Sequence, residues 1–205
     1  MSLEKLRTEV RREQIAQAVL ALVADRGLRG LSMGGLARRV GLVPSAIYRH
    51  FRSKEEALDA ALDLIGERLL GNVAAVRGLS SDSLGRLREL LRRHVTLIRE
   101  NGAIPRVVFS DAVFHGPSRR RGRVWKMIRS YLASVAAMVE EGQEEGAIRA
   151  DLDPHTASVM FLGLIQPSAI LWALSDGSFD IMRQADESWA LFRAVIVPPS
   201  RPSGR

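Results

Sequence analysis

Residues 31–56, LSMGGLARRVGLVPSAIYRHFRSKEE, constrain the fold of this chain more than any other stretch. Met33, Leu36, Ala37 and Val40 fall at i, i+3, i+4 and i+7, and Ile47 and Phe51 at i and i+4, so two short runs each keep one apolar side at helical spacing. Gly41 stands where the first run must stop with a residue tolerant of positive φ, and Pro44 where the next can begin without losing a needed N–H. Ser32 is placed to cap the first run. The pattern predicts a helix, a tight turn and a second helix, with Ser45, Tyr48, Arg49 and Arg52 pointing outward. Helices this short are not stable alone, so something must pack behind them. Two details cut against ideal helix chemistry. Gly34 and Gly35 are each roughly 1 kcal/mol worse than Ala inside a helix, which suggests a close backbone approach. Val43 occupies a cap position that favours Ser, Thr or Asp, a loss of about 1 kcal/mol unless it packs as a staple.

Residues 8–26 supply the missing backing, with Ile15, Ala18, Val19, Leu22 and Val23 in one apolar stripe and Gly27 ending it. Arg7, Arg11 and Arg12 precede or open this helix, where they can reach a phosphate backbone or stay solvated. Ser53-Lys54-Glu55-Glu56 reads as a capping box that starts a fourth helix. That helix, 54–71, carries Leu58, Ala61, Leu62, Ile65 and Leu69 on one face and spans roughly 25 Å, enough to connect to a second domain. Charge is unevenly placed. Residues 1–54 hold eleven Lys+Arg against four Asp+Glu, and residues 55–205 nineteen against nineteen, so the whole excess of +7 lies in the first quarter. A positive field on one module suits a polyanionic partner.

Other classes are disfavoured. The chain has no cysteine, which removes disulfides and thiolate chemistry together. Charges run through residues 1–14, so no secretory signal is expected. The longest apolar run, 159–174, is interrupted by Gln166, Pro167 and Ser168 and falls short of the ~20 residues of a membrane span. A soluble, cytoplasmic protein is expected, with no membrane partner. There is no HExxH, nucleophile elbow or phosphate-binding loop, so no enzyme, catalytic residue or cofactor is expected. Glu140, Glu141, Glu144 and Glu145 read as a solvated helix face rather than a metal site, and Asp153 beside Pro154 as a helix cap rather than part of a triad with Asp151 and His155.

After a loop over 73–83, helical patterns return. Residues 83–100 align Leu87, Leu90, Leu91, Val95 and Ile98, with His94 in the same stripe. A helix over 105–114 carries Phe109 and Phe114. The next opens on Ser118-Arg119-Arg120-Arg121-Gly122-Arg123, whose arginines oppose the helix dipole and are expected in solvent, and ends at Gly146. A helix starting at Pro154 is apolar nearly all round over 159–174 with a kink expected at Pro167, residues 185–197 form a last helix, and the tail 198–205 reads as disordered. The fold class is all-α with about nine helices: an N-terminal three-helix helix-turn-helix domain over 1–54, helix 54–71 connecting, and a C-terminal helical domain over 72–197.

Gly41-Leu42-Val43-Pro44-Ser45-Ala46-Ile47-Tyr48-Arg49-His50-Phe51, followed by Lys54-Glu55-Glu56-Ala57-Leu58, resembles the DNA-binding signature of the TetR family of bacterial transcriptional regulators, over about 9–62. The resemblance implies a DNA-binding domain and a C-terminal domain for ligand binding and dimerisation. It makes Tyr48, His50 and Lys54 phosphate contacts and turns Ser45, Ala46 and Arg49 to the base edges, with Ser32 joining the DNA-contacting set. An Arg at a recognition-helix start can bond guanine O6 and N7 together. The last two helices would pair with their copies in a second protomer, through Phe161, Leu164, Ser168, Leu171, Trp189, Phe192 and Ile196. Candidate effector-pocket residues are His94, Phe109, Phe114, Trp125, Tyr131 and Trp172. The expected function is a homodimeric repressor on an inverted repeat of double-stranded DNA, its half-sites about 34 Å apart, released by a small-molecule effector. The alternative keeps the DNA binding and gives the C-terminal domain a protein partner instead.

Overall fold

The computed structural model describes residues 3–79 and 82–199, and among these it contains helices and turns but no strand. The helical segments are α1 Leu3–Arg26, α2 Met33–Arg39, α3 Pro44–Ile47, α4 Lys54–Arg77, α5 Ser83–Glu100, α6 Ile104–Val108, α7 Asp111–Phe114, α8 Ser118–Glu144, α9 Pro154–Gly163, α10 Gln166–Leu174 and α11 Ile181–Ile196. Counting the broken pairs α6/α7 and α9/α10 once each gives nine helices among the described residues. The chain divides into two compact units: residues up to 68 with 100–127, and residues 69–99 with those from 128 onward. Residues 100–127 thus group with the helix-turn-helix. Of the expected disordered tail, residues 200–205 lie outside the described residues.

In the first unit, Ile15, Val19 and Val23 of α1 are fully buried against a core that includes Leu36 and Ala37 of α2, Ile47 of α3, and Phe51. Each large side chain buried this way contributes about 1.5–3 kcal/mol, which is how helices of seven and four residues persist. α4 does not stop near Gly71 as expected. One glycine costs a helix only about 1 kcal/mol, and buried Val73 and Val76 carry the apolar stripe on to Arg77.

The second unit has its own core. Leu87, Leu90, Leu91 and Val95 of α5 and Val135, Met138 and Val139 of α8 are buried there. Phe161 sits edge-on to Phe192 at 5.9 Å, and Trp189 packs on the same ring at 6.1 Å. A Cβ on Gly142 would come within 2.5 Å of the Ile148 side chain and 2.7 Å of Ser83 Oγ, so only glycine permits that approach. α8 ends at Gly146, φ +71°, in a Schellman turn: Ala147 N–H donates to the Gly142 carbonyl and Gly146 N–H to Gln143.

One expectation changes here. The acidic run of α8 is not simply solvated, because Glu141 pairs with Arg77 and Arg86, and Glu145 with Arg86 and the Ser83 N–H. The irregularity expected at Pro167 separates α9 from α10, with Leu164 and Ile165 still in the helical region. Proline has no N–H to donate to the Gly163 carbonyl, and Leu164 and Ile165 close tighter three-residue turns just before it. By length and composition Pro154–Leu174 is apolar enough to cross a membrane, and a third of its most apolar stretch is buried in the protomer.

His94 and Tyr131 form a buried pair, Nδ1 3.0 Å from the hydroxyl. Desolvation lowers the His94 pKa from 6.5 to about 4 and raises that of Tyr131. The unfolded chain therefore binds a proton here before the folded one does. Stability from this site is fully present above pH 6.5, declines as pH falls towards 4 and changes no further below that. Denaturant titrations from about pH 7 to about pH 4.5 should show the wild type losing roughly 2–3 kcal/mol more than His94→Gln, which does not titrate; equal losses would contradict the assignment.

Candidate nucleic-acid interface

The turn between α2 and α3 is built by glycine chemistry. Gly41 takes φ +67°, its N–H donates to the Arg38 carbonyl at 3.3 Å, and Leu42 N–H donates to Ala37 at 2.8 Å, the paired bonds of a Schellman motif. Ser32 caps α2, accepting the Gly35 N–H at 3.2 Å. Gly35 is buried, and a Cβ there would come to 3.0 Å of Ser32 Oγ but only to ordinary contact with Leu22 of α1, at 3.5 Å, so this glycine makes room for the Ser32 cap rather than for a close helix–helix approach. At Gly34 only the tip of Arg38 lies within reach, at 3.7 Å.

α3 is one turn of helix, after which Arg49 and His50 N–H groups bond three residues back, to Ala46 and Ile47. Ser45, Tyr48 and Arg49 are exposed, Tyr48 at 55%, and make no side-chain hydrogen bond or ion pair among the described residues. Lys54 and Ser32 are also exposed, although the Ser32 hydroxyl is already engaged as the α2 cap. Ala46 is different: at 9% exposure it faces the protein core beside Ile47. His50 is half-buried with Nδ1 unpartnered, and its pKa is lowered by desolvation first and then by Arg11, Arg12 and Arg49.

Arg12, left open between phosphate contact and solvent, is partly exposed and bonded to its own protein. Its guanidinium donates to the His50 carbonyl, lies 4.1 Å from the Phe51 ring centroid and pairs with Glu56 at 3.5 Å. The capping box is half as expected. Ser53 Oγ accepts the Glu56 N–H at 3.2 Å, but the Glu56 carboxylate accepts from Arg52 N–H at 2.8 Å rather than from Ser53. Glu56 thus links the cap of α4 to Arg12 on α1.

The arginines expected in solvent at the start of α8 are instead largely paired. Arg120 is 3% exposed, donates to the Asp59 carboxylate on α4, and also donates to the carbonyls of Ala112, at 3.2 Å, and Glu55, at 3.1 Å. Arg123 pairs with Asp63 one turn further along α4, and Arg121 donates to the Phe114 carbonyl. The reason is the acidic i, i+4 face of α4, which supplies the countercharge that the helix dipole of α8 does not. Arg12, Arg52, Glu56, Asp59, Arg119 and Arg123 line an open cleft of mixed charge beside it. Removing one partner of a buried, hydrogen-bonded pair strands the other charge. Asp59→Ala should lower stability by about 3–5 kcal/mol, and Asp63→Ala, whose pair is two-fifths exposed, by about 0.2–1 kcal/mol. Chemical denaturation of the two variants checks this, and equal losses would contradict it.

The six candidate pocket residues fall three in each unit. His94 and Tyr131 bond to each other in the second unit, and Trp172 there is half-buried over Gly177. Phe109, Phe114 and Trp125 belong to the first unit and are 45%, 51% and 58% exposed. Of the residues expected at a dimer interface, Phe161, Ser168, Trp189, Phe192 and Ile196 are buried within the protomer, Leu164 is intermediate and Leu171 is exposed. The apolar side chains left in the open are Val159, Met160, Ile170, Leu171 and Leu174 on α9 and α10, with Leu191 and Val195 on α11.

The description of bacterial regulatory proteins of the tetR family matches residues 15–61, and that of the tetracyclin repressor-like C-terminal domain matches residues 80–196. The nucleoid occlusion factor SlmA of Vibrio cholerae is 25% identical over 187 residues, 91% of this chain and 95% of that protein. Two solved structures share the fold. The fatty acid degradation regulator FadR of Bacillus halodurans has a TM-score of 0.77 at 19% identity, over 89% of this chain and 94% of its own. The ketosteroid transcriptional regulator of Mycobacterium tuberculosis has a TM-score of 0.73 at 23% identity, over 92% and 96%. With both halves matched in order, and the second match alone covering more than half its length, the chain belongs to the TetR family of bacterial DNA-binding regulators.

Proposed function

We propose that the protein regulates transcription as a homodimer that grips an inverted repeat with one α2–α3 module per half-site, and that it acts as a repressor. The observation that carries this reading is the contrast among polar side chains. Arg12, Arg39, Arg120 and Arg123 are held by carboxylates, while Ser45, Tyr48 and Arg49, on the segment that enters a major groove in helix-turn-helix proteins, remain without partners. Dimerisation is supported by the large apolar side chains that α9–α11 leave exposed, since a two-fold pair would cover them on both copies.

Release by a small-molecule effector is the control that family membership supports. Binding would favour a separation of the two modules that no longer fits successive grooves, and by linkage DNA would weaken effector binding equally. A second reading, a protein partner, is favoured by the exposed Phe109, Phe114 and Trp125 and by similarity to a nucleoid occlusion factor. Native mass spectrometry of the protein as purified separates the two: a retained small molecule supports the first, and recovery of one stoichiometric protein the second.

Fluorescence anisotropy on a duplex selected from random DNA tests the core of the reading. Arg49→Ala should weaken binding by about ten- to a hundred-fold, and the Leu174→Glu/Leu191→Glu pair should give a monomer by light scattering that no longer distinguishes an inverted repeat from a single half-site. Unchanged affinity in the first and an intact dimer in the second would overturn it.

A further inference from the structure

Val43 is the N-cap of α3, with φ −70° and ψ 147°, and it makes no side-chain cap bond. It does not pack as a staple either, because 63% of it is exposed while Ala46 and Ile47 are buried behind it. Pro44 beside it is exposed, and so is Tyr48 one turn on. A single exposed apolar residue needs no explanation, but here three share the tip of the segment that faces DNA. Within the free protein Val43 neither caps nor fills a core, at a position where Ser, Thr or Asp would hold the helix better. Its apolar surface is therefore available to what the segment binds. The major groove presents one apolar group on its base edges, the C5-methyl of thymine.

From this juxtaposition we propose that Val43, backed by Pro44, reads a thymine methyl in each half-site and so fixes one T·A pair of the binding sequence. The inference rests on the reading of the protein as a regulator that binds an inverted repeat. It also accounts for the missing cap: serine or aspartate at this position would engage the first N–H groups of α3 and present no methyl to the groove.

The test uses the full-length protein and the duplex it selects from random DNA. Each thymine is replaced in turn by deoxyuridine, which lacks only the methyl, and affinity is measured for wild type and Val43→Ser. At one symmetric position the wild type should bind about four-fold more weakly per half-site, the factor carried by one buried methyl, and Val43→Ser should lose that difference while keeping its responses elsewhere. Thermal melting of Val43→Ser should give a midpoint at or above that of the wild type, since serine supplies the absent cap. A wild type indifferent to every deoxyuridine, a variant that keeps the same penalty, or a variant that melts lower would each overturn the assignment. A wild type that selects no inverted repeat would overturn the underlying reading as well, which separates the two failures.

Discussion

The guanidinium of Arg12 donates to the His50 carbonyl, lies over Phe51 and pairs with Glu56, and the position of the DNA-facing segment depends on this set of contacts. α3 has four residues, too few to sustain a helix by backbone bonds alone. Ile47 and Phe51 anchor it from within, and Arg12 ties its exit to both α1 and the first turn of α4. The same turn is held from another side, where Arg120 binds Asp59 and the Glu55 carbonyl. α4 is the common support of the recognition segment, gripped at its start by arginines from α1 and α8.

Cations in the first unit therefore do two jobs. Those with a carboxylate or carbonyl partner fix the scaffold, the buried Arg120 most firmly because its neighbours satisfy it on three sides. Those without one, Arg49 among them, leave their charge exposed on the surface. Desolvation first, and then Arg11, Arg12 and Arg49, lower the pKa of His50 among them.

Local chemistry was legible in the sequence and distant pairing was not. The Gly41 turn, the Pro44 start, the Ser53 cap and the stops at Gly27 and Gly146 all follow from backbone rules within a few residues, and the structure has each of them. Arg12–Glu56 and Arg120–Asp59 join residues 44 and 61 positions apart, and nothing in a run of arginines says which will be buried. Helical spacing likewise located the apolar stripes of α9–α11 but not which side faces out. Phe161, Trp189 and Phe192 pack on one another inside the protomer and leave Leu174 and Leu191 outside. Of the DNA-facing set, Ser45, Tyr48 and Arg49 are exposed as expected from an outward helical face, whereas Ala46, one residue round, turns inward.

The start of α4, through Arg12, holds residues 47–51 in place. Amide hydrogen exchange of the full-length protein and of Arg12→Gln measures this residue by residue. The amides of residues 47–57 should exchange about ten-fold faster in the variant, the change expected for a loss of roughly 1.4 kcal/mol in local opening, while those of α5 and α11 keep their rates. Equal exchange across 47–57 in the two proteins would contradict it.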